Sequence, residues 1–530
     1  MTQPASVRAD RGMVATSHPL AAGAGVAMLD AGGSAADAAV AAAAVLCVID
    51  PRSTSIGGDA FALVWPAGAS APAALAGAGV SPAGLSVEAL RTAGNERTPE
   101  LGPWTVTVPG AVSAWERLLE RYGRLGLERV LQPAIALAEH GFEVAPVIAR
   151  EWAASAGRLA HDAEASRVFL KADGQPPAAG ERMTNPELGA VLRQLAAGGA
   201  DAYYRGPLAA RIAAAVEAAG GPLREQDLAG WEGATWVTPL RRDYRGADVF
   251  QLPPPGQGIV VLEALGIYAG LVETGAGAAA SAASDAAAAR EHAAIEALKL
   301  AFDDAAAHVA DPDHVAVPTE RLLSEEHLAA HRAAIDPDAA RAGGAAKRSD
   351  TVYIAAVDAD GGACSLIQSL YEGFGSGIAV PGTGILLQNR GSNFSTADGH
   401  PNRMAGGKRP YHTIVPALLA RDGAFLGCLG VVGGFMQPQG QMQILRHLLD
   451  DGLDPQAALD APRARWWEGR RVALEPGFDA GVAAGLRARG HELTELGPLN
   501  GGGAQLILAQ PDGTFAGASD KRKDGCALAQ

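Results

Sequence analysis

Side chains that could take part in catalysis are concentrated between residues 348 and 440 of this 530-residue chain. Hydroxyl groups, arginine and histidine alternate there with glycine turns, in the segments KRSDTVYIAAVDADG, YEGFGSGIAVPGTGILLQNRGSNFS, GKRPYHTIVP and VVGGFMQPQG. A hydroxyl becomes a nucleophile when a base lies beside it, and guanidinium binds carboxylate. Each glycine cluster alone is more typical of tight turns in a sheet, so the order of the segments is the informative feature.

Several familiar signatures are absent from the sequence. The segment around Gly407 lacks the first glycine of a phosphate-binding loop, and the segment around Gly23 lacks the third glycine of a dinucleotide fingerprint. Ser376 stands in FGSG, which is not the GxSxG elbow. No HExxH occurs, and His308 and His314 are typical of a solvated loop. We therefore expect no cofactor and no metal.

The residues that follow position 350 are predicted to form a β-hairpin. TVYIAAV and ACSLIQS are rich in apolar and β-branched residues, and they flank the turn DADGG. If Val357 pairs with Ala363, the same register places Thr351 opposite Ser369. The preceding segment, residues 334–347, is small and polar and is predicted to be an exposed, flexible connection.

The first half of the chain is predicted to be mainly helical. Residues 14–49 read as two helices, with Gly32-Gly33 ending the first and Ser34 capping the second. A short strand is predicted at residues 61–65, and helices between residues 110 and 219. Later apolar runs alternate with glycine turns, so the C-terminal third is expected to contain most of the sheet.

Composition restricts the class of partner. Hydrophobic residues make up 48% of the chain, enough for a substantial core, and the formal net charge of -15 argues against a nucleic acid or an anionic membrane. The four cysteines lie far apart without a CxxC pair, which argues against a disulfide framework or a structural zinc site. The net charge therefore favours a small-molecule substrate. The N-terminus lacks the features of a secretory signal, so we expect a cytoplasmic location.

The ordered motifs resemble the γ-glutamyltransferase family of N-terminal-nucleophile hydrolases over almost the whole chain. The matching segments include GMVATSHPLAAGAGVAMLDAGGSAADAAVAAA, IDPRSTSIGGDAFALVW, TVPGAVSAW, LPPPGQGIV, EALKLAFDD, FGSG, VPGTGILLQN, KRP and GASDKRKDG. The resemblance implies an α/β fold of four layers, αββα, and a precursor that cuts itself. Residues 1–350 would be the large subunit and 351–530 the small catalytic subunit, together forming one αββα domain. A homodimer of such processed heterodimers is an assembly that the resemblance allows.

The resemblance also implies roles for individual residues. Thr351 corresponds to the family nucleophile, and the cut falls between Asp350 and Thr351. The α-amino group of Thr351 that is freed by the cut can accept the proton of its own hydroxyl. Gly433-Gly434 corresponds to the oxyanion-binding position, where backbone N–H groups stabilise the developing charge. Ser369 takes the place of a threonine that hydrogen-bonds the nucleophile, the same residue that the hairpin register indicates.

The positions that hold a γ-glutamyl group in the family are altered. Its acidic residue falls on Asn393, an asparagine becomes Tyr371, and two serines become His412 and Thr413. This pattern is more similar to the cephalosporin acylase and oxamate amidohydrolase branches than to the glutathione-processing enzymes. The catalytic machinery is thus retained while the substrate clamp is replaced.

Basic residues in the same region could form a new clamp. Arg390 and His412, together with Arg409, suit an acyl group that ends in a carboxylate, because guanidinium binds carboxylate with two parallel hydrogen bonds. In the alternative interpretation, Arg409 makes a structural ion pair and Arg390 caps a turn.

The leading hypothesis is a self-processing amidohydrolase that acts through an acyl-enzyme on a small amide with a carboxylate-bearing acyl group, as in oxamate or a glutaryl amide. Water, rather than an amino acid, is the expected acceptor. One alternative is a γ-glutamyltransferase or glutathione hydrolase. The other is a non-catalytic member of the family.

Overall fold

A computed structural model describes residues 6–273, 283–346 and 350–530. The strands in these ranges are β1 (Val7–Ala9), β2 (Met13–Thr16), β3 (Asp59–Trp65), β4 (Ala73–Gly77), β5 (Phe142–Glu143), β6 (Arg182–Met183), β7 (Thr235–Val237), β8 (Leu240–Tyr244), β9 (Ala247–Gln251), β10 (Gly343–Ala345), β11 (Asp350–Val357), β12 (Ala363–Tyr371), β13 (Ala379–Val380), β14 (Ile385–Leu386), β15 (Ala417–Arg421), β16 (Ala424–Val432), β17 (Ala464–Gly469), β18 (Arg471–Leu474), β19 (Glu492–Glu495), β20 (Gly503–Ala509), β21 (Phe515–Ser519) and β22 (Cys526–Ala529).

The helices in the same ranges are α1 (Pro19–Asp30), α2 (Ala35–Ile49), α3 (Val87–Thr92), α4 (Ala111–Tyr122), α5 (Gly126–Val130), α6 (Gln132–His140), α7 (Pro146–Ser155), α8 (Ala163–Phe169), α9 (Pro186–Tyr204), α10 (Pro207–Ala218), α11 (Glu225–Ala229), α12 (Gly258–Glu273), α13 (Ala283–His308), α14 (Thr319–Leu322), α15 (Glu325–Ala334), α16 (Met436–Leu449), α17 (Pro455–Asp460) and α18 (Ala480–Ala488). None of them combines the length and the apolar character that crossing a bilayer requires.

Two seven-stranded sheets form the centre of the molecule. The first has the strand order β22-β2-β11-β12-β3-β4-β7, and the second has the order β1-β21-β20-β16-β15-β9-β8. Their facing side chains, such as Tyr353 and Ile367 of the first sheet and Leu418 and Ile507 of the second, share one apolar cluster. Alternate residues of each strand therefore point into the space between the sheets.

Helices cover the outer face of each sheet. The alanine-rich α2 is buried along its whole length and packs with α1 and α6 over the first sheet. Helices α12, α13 and α16 belong to a second apolar cluster over the second sheet. The order helix, sheet, sheet, helix confirms the predicted four-layered αββα sandwich.

The hairpin that begins at position 350 has the predicted register. Val357 pairs with Ala363, and the pairing continues to Val352 opposite Gln368 before it shifts by one residue next to Asp350. Central strands of a sheet pair on both sides, and β11 and β12 are flanked by β2 and β3. The start of β11 is thus fixed within the middle of the sheet.

Helix boundaries near the N-terminus follow from local capping. Ser34 and Asp37 form a capping box at the start of α2, as the sequence predicts for Ser34. The first predicted helix begins later than expected, because residues 13–16 form β2 and pair with β11 and β22. The predicted strand at residues 61–65 is part of β3, and residues 110–219 are mainly helical.

Of two expectations about the later chain, one is confirmed and one is wrong. In the described ranges the C-terminal third contains most of the strands, β11–β22, although β1–β4 and β7–β9, all from before residue 350, supply half of the strands in the two large sheets. Their apolar runs are short and lie between helical segments, which hides them in the sequence. The predicted flexible connection contains a strand, since β10 pairs with β17. Its last residue, Lys347, lies outside the described residues.

Candidate active site

Thr351 is the second residue of β11 and is buried. Its Oγ1 lies 2.5 Å from the carbonyl oxygen of Asp350 and 3.5 Å from Oγ of Ser369. Nε2 of Gln437 donates a hydrogen bond of 3.2 Å to the same hydroxyl. The hydroxyl is therefore held beside the carbonyl group of the peptide bond that precedes it.

Ser369 of β12 contacts the same carbonyl group. Its Oγ lies 2.6 Å from the carbonyl oxygen of Asp350 and accepts a hydrogen bond of 2.7 Å from the backbone N–H of Tyr371. Because the N–H occupies an acceptor site on Oγ, the hydroxyl proton of Ser369 can point to Asp350. Tyr371 has φ +85°, a left-handed conformation that costs about 1–3 kcal/mol and is common at functional sites.

Gly433 and Gly434 form the turn between β16 and α16, with φ values of +112° and +62° that favour glycine. In the part of the chain that the structure describes, neither amide donates a backbone hydrogen bond outside the regular elements. The backbone N–H of Gln437 donates to the carbonyl of Gly434, so this turn and the Thr351 hydroxyl share Gln437 as a partner. Unpaired N–H groups at the start of a helix are suited to binding an oxyanion.

A cavity of about 550 Å³ opens next to Asp350 and Gly433. Its wall contains charged residues of both signs, among them Arg158 and Glu372, whose Nη2 and Oε2 atoms lie 2.9 Å apart. Burial raises the pKa of Glu372, although the Arg158 guanidinium opposes this effect. The cavity is therefore polar, and it is large enough for a small organic molecule.

Arg52 lies in the cavity wall and forms an ion pair with Asp350, the residue that precedes Thr351. Its Nη2 lies 2.8 Å from Oδ2 of Asp350, and its Nη1 lies 3.3 Å from Oε2 of Glu151. Nε donates to Oγ of Ser155 at 2.9 Å. The guanidinium is thus fixed on three sides, with one of its partners supplied by Asp350.

Of the five residues predicted to bind substrate, four lie together in one buried layer, and Asn393 beside them is half-buried. These five residues are not among those that line the cavity. The guanidinium of Arg390 lies 4.7 Å from the ring centre of Tyr371, and its Nη1 donates to Oγ1 of Thr413 at 2.8 Å. Nε and Nη2 of Arg390 have no hydrogen-bond partner within the described ranges. Burial lowers the pKa of Arg390 to about 10, and the buried hydroxyl of Tyr371 has a raised pKa.

His412 occupies the same layer and contacts a carboxylate. Its Nε2 lies 3.0 Å from Oδ2 of Asp59, and its ring lies 4.4 Å from that of Phe61. Burial, reinforced by the charge of Arg390, lowers the pKa of His412 to about 4 despite the carboxylate. The neutral imidazole therefore donates to Asp59 and holds a fixed orientation.

Asn393, the fifth of these residues, and Arg409 of the predicted clamp make contacts within the protein. Nδ2 of Asn393 donates to the carbonyl of Tyr411 at 3.1 Å. Arg409 donates through Nε and Nη2 to one carboxylate oxygen of Asp311, at 3.0 and 2.6 Å, and also pairs with Asp313. Arg409 thus makes a structural ion pair, as the alternative interpretation of the sequence predicted.

Three residues of this region are not predicted from the sequence. Arg52, Glu372 and Gln437 stand in the segments IDPRSTSIGG, YEGFGSG and VVGGFMQPQG. Their contacts join distant parts of the chain, which no local pattern reveals. For Arg52 and Glu372 the available signal is a charged residue inside a glycine-containing motif, and for Gln437 there is none.

Known proteins match this chain over almost its whole length. The sequence profile of the gamma-glutamyltranspeptidase family matches residues 21–530. The glutathione hydrolase-like YwrD proenzyme of Bacillus subtilis strain 168 is 36% identical, with 99% of each chain covered. The oxamate amidohydrolase proenzyme of Klebsiella pneumoniae is also 36% identical, over 97% of this chain and 98% of the relative.

A solved structure shows the same fold. The crystal structure of cephalosporin acylase from Bacillus halodurans superposes with a TM-score of 0.93 at 42% identity, covering 100% of this chain and 98% of that one. The family assignment rests on the αββα sandwich and on the sequence match over the full length of the chain. The chain belongs to the gamma-glutamyltranspeptidase family of N-terminal-nucleophile hydrolases.

Proposed function

We propose that this chain is the precursor of an amide hydrolase that cuts itself between Asp350 and Thr351 and then uses Thr351 as its N-terminal nucleophile. The observation that carries the proposal is the contact of the Thr351 hydroxyl with the Asp350 carbonyl, which Ser369 also contacts. Ser369 of β12 and Gln437 of α16 hold the buried hydroxyl beside this peptide group, as attack on its carbonyl requires.

The cutting reaction follows from this geometry. Oγ1 of Thr351 attacks the carbonyl carbon of Asp350, the C–N bond breaks, and the acyl group moves from nitrogen to oxygen. Hydrogen bonds to the Asp350 carbonyl, including that from Ser369, stabilise the negative charge that develops on its oxygen. Water then hydrolyses the ester, which leaves a carboxylate on Asp350 and a free α-amino group on Thr351.

The same residue then serves the substrate. The α-amino group of Thr351 accepts the proton of its hydroxyl, directly or through water, while Oγ1 attacks the substrate amide. The N–H groups of Gly433 and Gly434 stabilise the tetrahedral oxyanion. The amine leaves with the proton, and water releases the acyl group as a carboxylic acid.

We infer that the acyl group of the substrate carries a carboxylate, and Arg52 is the residue that supports this most directly. Asp350 pairs with Arg52 in the uncut chain, and the cut separates Asp350 from Thr351. When the end of the large subunit moves away, a substrate carboxylate can take the place of the Asp350 side chain. Arginine binds carboxylate with two hydrogen bonds, which would orient the amide next to Thr351.

Arg390 is a second candidate for carboxylate recognition. Two of its N–H groups are buried without a partner, and such groups are costly to leave unpaired. Tyr371, His412, Thr413 and Asn393 would position it or line the acyl pocket from behind. In the uncut chain this layer is closed, so Arg390 would take part only after cutting rearranges the start of β11.

Relatives of this chain support hydrolysis of such amides. The names of two of them, oxamate amidohydrolase and cephalosporin acylase, describe action on amides. The name of a third, glutathione hydrolase-like, keeps γ-glutamyl hydrolysis or transfer as the second candidate function. A γ-glutamyl donor also needs a partner for its α-amino group, and Asn393 cannot supply a negative charge there.

A denaturing gel and N-terminal sequencing test the self-cutting step. We expect two fragments, residues 1–350 and 351–530, with the smaller one beginning Thr351-Val352-Tyr353. Thr351→Ala should run as one uncut chain without activity. Thr92→Ala, on the exposed face of α3, is the matched control and should be cut normally. An uncut wild-type chain would instead favour the non-catalytic alternative.

A substrate panel tests the acyl group. Purified, cut protein is assayed with oxamate, a glutaryl amide and γ-glutamyl-p-nitroanilide, with and without an amino-acid acceptor. We expect turnover of the first two and no acceleration by the acceptor. Fast turnover of the γ-glutamyl compound would overturn the proposed substrate class but not the role of Thr351.

A further inference from the structure

A second group of chemically active side chains lies away from the cavity, where α12, α13 and α15 meet. Nε2 of His327 and Nε2 of His331 each lie 2.6 Å from Oδ2 of Asp304. The same two nitrogens lie 3.6 and 3.4 Å from Oε1 of Glu263. The four atoms all lie within 4.8 Å of one another.

The helices place these residues by simple geometry. His327 and His331 are four residues apart on α15 and therefore lie on the same face. Glu263 belongs to α12 and Asp304 to α13. Gly266, one turn after Glu263, lets α15 approach closely, because a Cβ there would lie 2.7 Å from Cδ1 of Leu328.

The group has two carboxylates but no lysine or arginine partner. Within the described residues, Glu263 and Asp304 form ion pairs only with the two histidines. Arg242, which lies near Glu263, donates instead to the carbonyl of Leu323. Glu263 is fully buried, and among the residues that the structure describes neither of its carboxylate oxygens has a hydrogen-bond partner that meets the usual geometry. A buried carboxylate in this state is stabilised by a bound cation or by a proton shared with its neighbours.

A comparable group elsewhere in the protein has a lysine that balances its carboxylate. His292, Glu296 and His491 are also buried and close together. There, however, Nζ of Lys299 lies 2.7 Å from Oε1 of Glu296 and supplies the positive charge. The group around Glu263 lacks such a residue, although its ligand atoms are of the same types.

We propose that Glu263, Asp304, His327 and His331 form a binding site for one divalent transition-metal ion, for which zinc is the best match. Zinc prefers four ligands drawn from imidazole nitrogen and carboxylate oxygen, at about 2.0–2.2 Å. Around such an ion the contacts of 2.6 Å would widen to about 3.3 Å, a change that small rotations of the imidazole rings provide. Two carboxylates and two neutral imidazoles balance the charge of the ion.

The position of the site indicates a structural role. The ion would join α15 to α12 and α13 with ligands from all three helices, leaving no open position for a substrate. Helix α15 is the last helix before Asp350. The ion would therefore hold the C-terminal part of the large subunit on the sandwich after the chain is cut. The proposal does not depend on the chemistry at Thr351.

The test is metal binding by the full-length protein after treatment with a chelator and dialysis. Titration with zinc chloride in a calorimeter should show one ion per chain, and the melting temperature should rise with zinc concentration. The double variant His327→Gln/His331→Gln should bind zinc at least ~100-fold more weakly than the wild type. Loss of one residue that only supports a metal ligand weakens binding less than this, and the double variant loses two direct ligands. His447→Gln, a partly exposed histidine on α16, is the matched control and should bind zinc like the wild type.

Specific results would overturn the proposal. Wild-type protein that binds no zinc would do so, as would a double variant that binds it unchanged. A third contrary result is a melting temperature that calcium raises as much as zinc does, in the double variant as well as in the wild type. That result would show that the ion binds to a site made of oxygen ligands elsewhere in the protein. If the double variant does not fold, Glu263→Gln replaces it, since this change keeps the shape and removes one charged ligand. Unchanged zinc affinity in Glu263→Gln would also overturn the assignment.

Discussion

Nη2 of Arg52 lies 2.8 Å from the carboxylate of Asp350, so the residue before the proposed cut neutralises an arginine of the cavity wall. Arg52 also contacts Glu151, which lies 3.3 Å from its Nη1. In the uncut chain the arginine therefore has two carboxylates, and one of them belongs to the segment that the proposed cut would free. In the proposed function this pair would connect maturation with substrate recognition.

Arg52→Lys should raise the KM for a carboxylate-bearing amide by about tenfold or more while kcat changes little. Lysine keeps the charge beside Glu151 but cannot make the paired hydrogen bonds of guanidinium. Steady-state kinetics with oxamate measure the effect. Arg193→Lys, an exposed arginine that pairs with Glu139 on the surface, controls for the chemical change itself. An unchanged KM in Arg52→Lys would remove Arg52 from substrate recognition.

Ser369→Ala should slow self-cutting by about 10²–10³-fold, the usual cost of losing one donor to a developing oxyanion. The rate is followed on gels after the purified, uncut variant is placed at its working temperature. Ser365→Ala is a matched control on the same strand, because its hydroxyl bonds to Tyr353 instead. If both variants are cut at the wild-type rate, Ser369 has no role in the reaction.

Gly433→Ala should reduce kcat by about 10²–10³-fold because its φ of +112° is unsuited to alanine, and the turn must move. The added Cβ would also lie 3.3 Å from Cβ of Met436. Gly423→Ala, at φ +74° in an open hairpin, measures the cost of the strained backbone alone. Folding of each variant is checked by its melting temperature. Equal losses of activity in both variants would contradict a specific role for Gly433.

The pH dependence of stability should contain a contribution from His412. The pKa of His412 in the folded protein, about 4, lies below the ordinary histidine value of 6.5, so the unfolded chain binds more protons between these values. The stability that comes from the neutral ring is complete above pH 6.5 and is lost as the pH falls towards 4. His412→Gln keeps a donor for Asp59 but does not titrate.

The measurement compares melting temperatures from pH 4 to 7 in the uncut Thr351→Ala background. We expect a shallower decline below pH 6.5 in the protein that also has His412→Gln. His491→Gln removes another buried histidine with a lowered pKa, and it serves as a comparison from the separate group that contains His292 and Glu296. Parallel curves for the parent and His412→Gln would contradict the buried, neutral assignment of His412.

The sequence predicted the hairpin and the αββα class well because both rest on local patterns and ordered motifs. The pairing of Val357 with Ala363 follows from the turn between them, and Thr351 and Ser369 follow from the pairing. The one-residue shift next to Asp350 accompanies the left-handed conformation of Tyr371, which no local sequence pattern predicts.

Contacts between segments that are distant in the chain could not be predicted from the sequence. His327 and His331 show helical spacing in the sequence, but Glu263 and Asp304 lie on two other helices, and nothing local connects them. Arg390 was recognised as a basic residue of interest, yet its burial depends on the layers around it. The ligands of the proposed metal site are far apart in the chain, so no sequence motif indicates them.

The interleaving of strands from before and after residue 350 has a consequence for assembly. Each large sheet contains strands of both segments, so neither segment can complete a sheet by itself. Before a cut at Asp350, the two segments meet at the high effective concentration of a single chain. After it, the same contacts would join two molecules, and separated fragments would have to find each other with open sheet edges exposed to aggregation. Folding would thus have to precede cutting, and denaturation of the cut protein would be far harder to reverse than denaturation of Thr351→Ala.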